Sequence, residues 1–231
     1  MQGYLILNGG DGFSPLCKNA NHLWLQIIRR QNRPRLVVIP TATLVKPRQL
    51  ADQTMRYFNH LGTFAEYTMI EDTLSANTAA NYDIINKVDA IVLTDGSPID
   101  LVERVRGTHT EKALRSAVTE RSAALMATGA SAMAIGAVYW MSGVWEQGLG
   151  IAANLAIIPQ HSTARMRLSP ERLLDDLPDG ITIIGIDEAT HLFCFPDGHY
   201  EVHGEGEVTV YRNVEEQESF LPGGQFTLGD A

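Results

Sequence analysis

Ala123-Ala124-Leu125-Met126-Ala127-Thr128-Gly129-Ala130-Ser131-Ala132-Met133-Ala134-Ile135-Gly136-Ala137 is the stretch on which the reading of this chain turns. Its apolar first half suits a buried strand, Thr128-Gly129 breaks the run, and the small residues beyond can open a helix. One serine, Ser131, stands in the break. This is the outline of a nucleophile elbow, a strained strand-to-helix turn that pushes a hydroxyl out at the top of a sheet. Such a turn also aims backbone N–H groups at whatever the serine attacks. A tight turn with a small residue packed under a helix has the same spelling, so the motif alone leaves both readings open.

Outward from the elbow, short hydrophobic runs alternate with helical patterns. Strands are expected at Tyr4–Leu7, Leu36–Ile39, Phe64–Ile70, Ala90–Leu93, Ala123–Ala127, Leu155–Ile158 and Ile181–Ile186. Helices are expected near 17–31, 47–61, 76–87, 98–106, 110–121, 131–138 and 169–177. This alternation predicts an α/β fold, a doubly wound and mostly parallel sheet covered on both faces. The character then changes. His191–Phe195, Tyr200–His203 and Glu207–Tyr211 are separated by Pro196-Asp197-Gly198 and Gly204-Glu205-Gly206, which predicts C-terminal antiparallel hairpins. Residues 1–212 read as one domain, and the acidic, Gly-rich residues 213–231 as a loose tail.

Bulk properties narrow the function classes. With 18 basic and 27 acidic residues the net charge is −9, which disfavours a nucleic-acid binder, since that needs a basic face. No apolar run approaches the ~18 residues of a membrane span. The opening Met1-Gln2-Gly3-Tyr4-Leu5-Ile6-Leu7 lacks a basic segment and reads as a first core strand, not a signal peptide. Two cysteines, Cys17 and Cys194, make neither a disulfide framework nor a metal cluster, and are expected as thiols in a reducing cytoplasm.

In a sheet of this kind ligands bind outside the carboxyl ends of the strands. Three segments fall there: Asn8-Gly9-Gly10-Asp11-Gly12, Thr94-Asp95-Gly96-Ser97-Pro98 and the elbow. The first two lack the spacing of a phosphate loop. A serine needs a base, and the base needs a third group to orient it. His161 directly follows an apolar strand, and Glu146 is the single carboxylate between it and Ser131, with Asp95 and Asp187 the next acids to consider should Glu146 lie away from His161. The order Ser131, Glu146, His161 is one that builds a triad. The competing reading of His161 is a strand-end residue capping the next helix. His22, His60, His109, His191, His199 and His203 fall in helix faces, loops or the hairpin region.

Taken in order, these blocks resemble the cyanophycinase and dipeptidase E family of serine peptidases, built on the flavodoxin-like, class I glutamine-amidotransferase-like fold. Tyr4-Leu5-Ile6-Leu7-Asn8-Gly9-Gly10 is similar to the family's opening strand and glycine turn, and Ala90–Ser97 to its strand ending in Thr-Gly-Gly. Gly129-Ala130-Ser131-Ala132-Met133-Ala134 resembles Gly-Thr-Ser-Ala-Gly-Ala, and Gln160-His161 with Arg165 and Arg167 resembles Gln-His-x-x-x-Arg-x-Arg. Gly185–Thr190, Val202-His203-Gly204 and Val208–Tyr211 look like the closing hairpins, so the likeness spans residues 4–212. Three positions depart from it: Met133 for the second elbow glycine, Asp95 for a glycine beside the oxyanion amides, and Pro98 near a substrate-holding glutamine.

The resemblance implies Ser131 as nucleophile, His161 as general base, Glu146 as its orienting acid, and an oxyanion hole from the amides of Gly96 and Ala132. It implies no metal or organic cofactor. Gln160, Arg165 and Arg167 are candidates for gripping a substrate carboxylate, with pairing of the arginines to Glu171 or Asp175 as the competing reading. The expectation is a cytoplasmic serine peptidase hydrolysing small, acidic peptides or isopeptides, with a homodimer suggested by analogy. A non-catalytic family member binding a small molecule or a protein partner is the alternative, and Met133 and Asp95 favour it. An amidotransferase-like activity is weakened by the absence of an elbow cysteine.

Overall fold

The computed structural model describes residues 1–28, 33–164 and 168–229. Five apolar runs form its parallel half: β1 (Tyr4–Asn8), β2 (Arg35–Ile39), β3 (Phe64–Tyr67), β4 (Ala90–Leu93) and β5 (Ala124–Thr128). The helices between and just after them are α1 (Lys18–Ile28), α2 (Pro47–His60), α3 (Thr73–Ala76), α4 (Ala79–Ile85), α5 (Pro98–Val105), α6 (His109–Thr119) and α7 (Ala130–Ile135). Successive strand residues point to opposite faces, which is why these runs are apolar at almost every position. Leu5, Leu7, Ile91, Leu93, Leu125 and Ala127 pack under α3 to α7. Ile6, Val38, Val92 and Met126 pack under α1 and α2, where Trp24 meets Phe58 edge-on at 5.7 Å.

The chain continues through the hairpin β6 (Val138–Met141) and β7 (Val144–Gln147), then β8 (Leu155–Pro159), α8 (His161–Ala164), α9 (Pro170–Leu174) and β9 (Thr182–Ile186). It closes with β10 (Thr190–Cys194), β11 (His199–Gly204), β12 (Val208–Tyr211), β13 (Gln217–Phe220) and β14 (Gln225–Thr227). The main sheet has the order β14-β11-β10-β1-β5-β4-β2-β3, parallel from β1 to β3 and antiparallel from β10 outward. A second sheet has the order β13-β12-β9-β8. The mixed, mostly parallel α/β sheet with C-terminal antiparallel strands is therefore as expected.

Four details differ from the expectation. The runs at 155–158 and 181–186 lie in the second sheet, because β1 is already flanked by β5 and β10 and offers them no edge. The span 76–87 divides into α3 and α4, the former opened by an Asp72–Ser75 capping box. Residues 138–147, expected in no element beyond the helix end at 138, form a hairpin turning at Ser142-Gly143, with Trp140 edge-on to Trp145 at 5.0 Å. Finally, the segment after 212 is not a loose tail. β13 pairs with β12 and β14 with β11, and Phe226 stacks between Tyr200 at 5.1 Å and Phe220 at 4.2 Å. Among the described residues, no helix is long and apolar enough to cross a membrane.

Candidate active site

The carboxyl ends of β1, β4 and β5 form one rim. Asn8, the last residue of β1, is fully buried and ties it together: its amide donates to the Thr190 carbonyl at 2.9 Å, and its side-chain oxygen accepts the Gly10 N–H at 2.9 Å. The Gly129 N–H donates to the Asn8 carbonyl at 2.9 Å. β5 ends at Thr128 and α7 begins at Ala130, so Gly129 alone is the apex of the elbow, with φ 52° and ψ −120°. Those angles are open to glycine and strained for any other residue.

Beside this apex lies the loop after β4. Asp95 sends its carboxylate across the gap, where one oxygen, Oδ1, accepts the Gly96 N–H and the Ala130 N–H, each at 2.7 Å. The loop is braced from below: the Thr43 hydroxyl donates to the Asp95 carbonyl at 2.6 Å, and the Ser97 N–H to the Ala42 carbonyl at 2.8 Å. Two amides from different loops thus converge on a single anionic oxygen. That is the geometry of an oxyanion hole.

Ser131 is placed differently from the expectation. It lies two residues beyond the apex, is 1% exposed, and its hydroxyl donates inward to the Thr94 carbonyl at 2.6 Å. That carbonyl is its one hydrogen-bond partner among the described residues, and His161 is not bonded to it. Ala132 also leaves its expected role, since its N–H closes the first helical turn onto the Gly129 carbonyl at 3.0 Å. The Gly96 N–H is one of the two amides that meet at Asp95 Oδ1, and the other is that of Ala130 and not of Ala132. Met133 finds room half-buried against the main core.

His161 opens α8 directly after β8 and is buried. Its ring lies flat on the backbone of β9, so close that a Cβ on Gly185 would stand 2.2 Å from Cδ2. Nε2 is 2.6 Å from the Tyr211 hydroxyl, and Nδ1 is 3.8 Å from Asp187 Oδ1. Glu146, expected as the orienting acid, is exposed on β7 opposite Tyr139. Asp187 is the carboxylate facing the imidazole, because the parallel pairing of β8 and β9 brings their carboxyl ends together. Gln160, in a left-handed conformation at φ 49°, donates its N–H to the Gly9 carbonyl at 2.7 Å and folds its side chain over Gly10. Arg165 and Arg167 lie outside the described residues.

From Gln160 a groove of about 550 Å³ runs toward the hairpin, lined by Trp140, Gly143, Gln160, Thr163, Leu168 and Arg172. The sequence reading missed Tyr211, Ala130 and Arg172, whereas Asp187, an acid directly ending an apolar strand, stood with Asp95 as the next choice after Glu146. Among the described residues, no group of three or more His, Cys, Asp or Glu side chains is arranged to hold a metal ion.

Comparison with known proteins fits this architecture. The model of peptidase family S51 matches residues 5–195. A crystal structure of a peptidase from an acI-B1 Actinobacterium superposes with a TM-score of 0.85 at 20% identity, covering 99% of this chain and 98% of that one. A structure from Listeria monocytogenes EGD-e, provisionally named peptidase E, superposes with a TM-score of 0.62 at 12% identity, covering 89% of this chain and 100% of that one. At these identities the two structures establish the fold. No curated protein sequence matches at a significant level. With most of its length matched by the family model, the chain belongs to peptidase family S51, a family of serine-type peptidases.

Proposed function

We propose that the chain acts on short peptides or isopeptides that carry a free or side-chain carboxylate, bound at the rim formed by β1, β4, β5 and the start of α8. One observation carries this reading: the Gly96 and Ala130 N–H groups meet at one point beside the elbow. A substrate carbonyl oxygen that takes the place of the Asp95 carboxylate at that point has its developing charge met by two fixed donors, each worth roughly 10²–10³ in rate. Water attacks the carbonyl carbon, the C–N bond breaks, and the proton that the water gives up passes by way of His161 to the leaving amine. Asp187, 3.8 Å from Nδ1, favours the charged imidazole as it forms. Arg172 in the adjoining groove supplies a cation for the carboxylate, against a net charge of −9 that otherwise repels it. The acidic surface argues against a nucleic-acid partner, and the buried free thiols of Cys17 and Cys194 suit the cytoplasm.

The test compares an aspartyl dipeptide with its asparaginyl counterpart, following release of free amine and, separately, binding by calorimetry. The Asp form is expected to be preferred by about tenfold, a preference that Arg172→Met removes. Equal handling of the two by the wild-type chain refutes the substrate class. A second reading, in which the same peptide is held without being cut, is favoured by the glycine at the apex, since no side chain stands there to attack. Under it, calorimetry detects binding while no amine is released.

A further inference from the structure

A carboxylate already lies in the oxyanion hole, and the elbow apex beside it is bare. These two facts are one fact geometrically. A Cβ built on Gly129 would stand 2.2 Å from Cγ, Oδ1 and Oδ2 of Asp95, so the carboxylate occupies the space into which any side chain at residue 129 would project. The same Oδ1 is the atom on which the Gly96 and Ala130 amides converge.

We infer that residue 129, not residue 131, is the nucleophile position of this elbow, and that Asp95 fills from within both that position and the oxyanion hole. The inference rests on the reading of this rim as the peptide site. In a nucleophile elbow the attacking residue sits at the apex of the strand-to-helix turn. The N–H of the next residue and one from a neighbouring loop hold the oxyanion. Here the apex is Gly129 by its backbone angles, the next N–H is that of Ala130, and the neighbouring loop supplies Gly96. Ser131 points the other way, its proton committed to the Thr94 carbonyl beneath the turn.

Asp95 and Gly129 are therefore complementary. The carboxylate fits only because residue 129 has no side chain, and the amides are satisfied only because the carboxylate is there. Ser131 is a structural hydroxyl that braces α7 against the end of β4. Turnover by the wild-type chain, where the dipeptide assay detects it, passes through no acyl-enzyme at Ser131.

The experiment treats the full chain and its variants with a fluorophosphonate probe and maps the label by mass spectrometry. Wild type and Ser131→Ala are expected to remain unlabelled. Asp95→Gly combined with Gly129→Ser is expected to be labelled at residue 129, ~100-fold faster than wild type, and still to be labelled when Ser131→Ala is added. In that step the introduced hydroxyl oxygen bonds to phosphorus, the P–F bond breaks, fluoride leaves, and the hydroxyl proton passes to solvent or His161. Label on Ser131 in wild type overturns the inference, as does a folded double variant that stays unlabelled.

A melting experiment tests the pairing without any chemistry. Gly129→Ala should lower the melting temperature at least about twice as much in the wild-type background as in Asp95→Gly, because only the former holds the clashing carboxylate. Equal decrements overturn the inference. Dipeptide assays run in parallel separate its failure from that of the peptide reading. Hydrolysis lost in Ser131→Ala overturns the inference and leaves the substrate reading standing. A labelled double variant beside a wild type that neither binds nor cuts any dipeptide supports the inference and overturns the substrate reading.

Discussion

Acid should destabilise this protein through one histidine in particular. His191 lies on β10 opposite Asn8 in the strand pairing, fully buried, with Nε2 3.2 Å from Asn21 Oδ1. Nε2 is then the protonated nitrogen, and Nδ1 is buried without a hydrogen-bond partner among the described residues. Burial first, and the nearby His203 second, push its imidazole down to about 3. An unfolded histidine titrates near ~6.5, so between the two values the unfolded chain binds the extra proton and the folded chain does not. The stabilisation is complete above the unfolded value and is lost as pH falls from there toward the folded one. Below the unfolded value each pH unit costs about 1.4 kcal/mol, which amounts to about 2 kcal/mol between pH 7 and pH 5. Carboxylates such as Glu188, which the Ser162 and Thr163 hydroxyls hold low against the opposing pull of burial, add an acid loss of the same sign. A difference measurement is therefore needed: urea unfolding from pH 8 to pH 5, wild type against His191→Gln. Wild type should lose about 2 kcal/mol more than the variant over that interval. Parallel curves would refute the assignment of a neutral, proton-excluding His191.

Two further outcomes concern the imidazole of His161. Gly185→Ala forces a Cβ to within 2.2 Å of the ring while β9 is held between β8 and β12, so the ring must leave its place. A loss of about 1–3 kcal/mol in urea unfolding is expected, with a shifted His161 ring signal in NMR spectra; an unchanged signal contradicts the packing. Asp187→Asn should lower kcat on a cleaved dipeptide by about 10–100-fold, whereas Glu146→Gln, on the exposed hairpin, should change it by less than about twofold. The reverse order would return the orienting role to Glu146.

Much of this architecture is legible in the chain because strands buried on two faces must be apolar throughout. β1, β2, β4 and β5 could therefore be read within a residue or two, and with them the rim at their carboxyl ends. Helix α2 announced itself through Pro47 at its start and Gly62 just past its end. What could not be read is which sheet a run joins. The pattern Leu155–Ile158 says a strand is buried but not against what, and the answer depends on β10 having taken the edge of β1. The final strands escaped notice for a different reason. Gln217–Phe220 is almost entirely exposed, and its place is held by Phe220 stacking on Phe226, a contact between residues that look isolated in the sequence. Chain order suggested Glu146 as the acid, yet a triad is a matter of proximity, and β9 delivers Asp187 to His161 from 26 positions downstream.

The elbow shows how a motif can be found in the right place and still be misread by two residues. Laid from Gly129, the stretch matches Gly-Thr-Ser-Ala-Gly-Ala with its serine at Ser131, but leaves bulky Met133 on a glycine. Laid from Thr128, Thr-Gly-Ala-Ser-Ala meets Thr-Ser-Ala-Gly-Ala at Thr128, Ala130 and Ala132, and differs only by exchanging serine and glycine. Backbone geometry decides between the two registers. β5 pairs with β1 through Asn8 and Thr128, so the turn must begin at Gly129, and its angles of 52° and −120° place the apex there. In this register Met133 is an ordinary helix residue and needs no special gap. Asp95 ceases to be an anomaly as well. A carboxylate facing two amides would repel a developing oxyanion, but with no side chain at residue 129 it is the group that satisfies those amides. Two of the three departures noticed in the sequence, Met133 and Asp95, thus reduce to one substitution at the apex and the acid that moved in behind it.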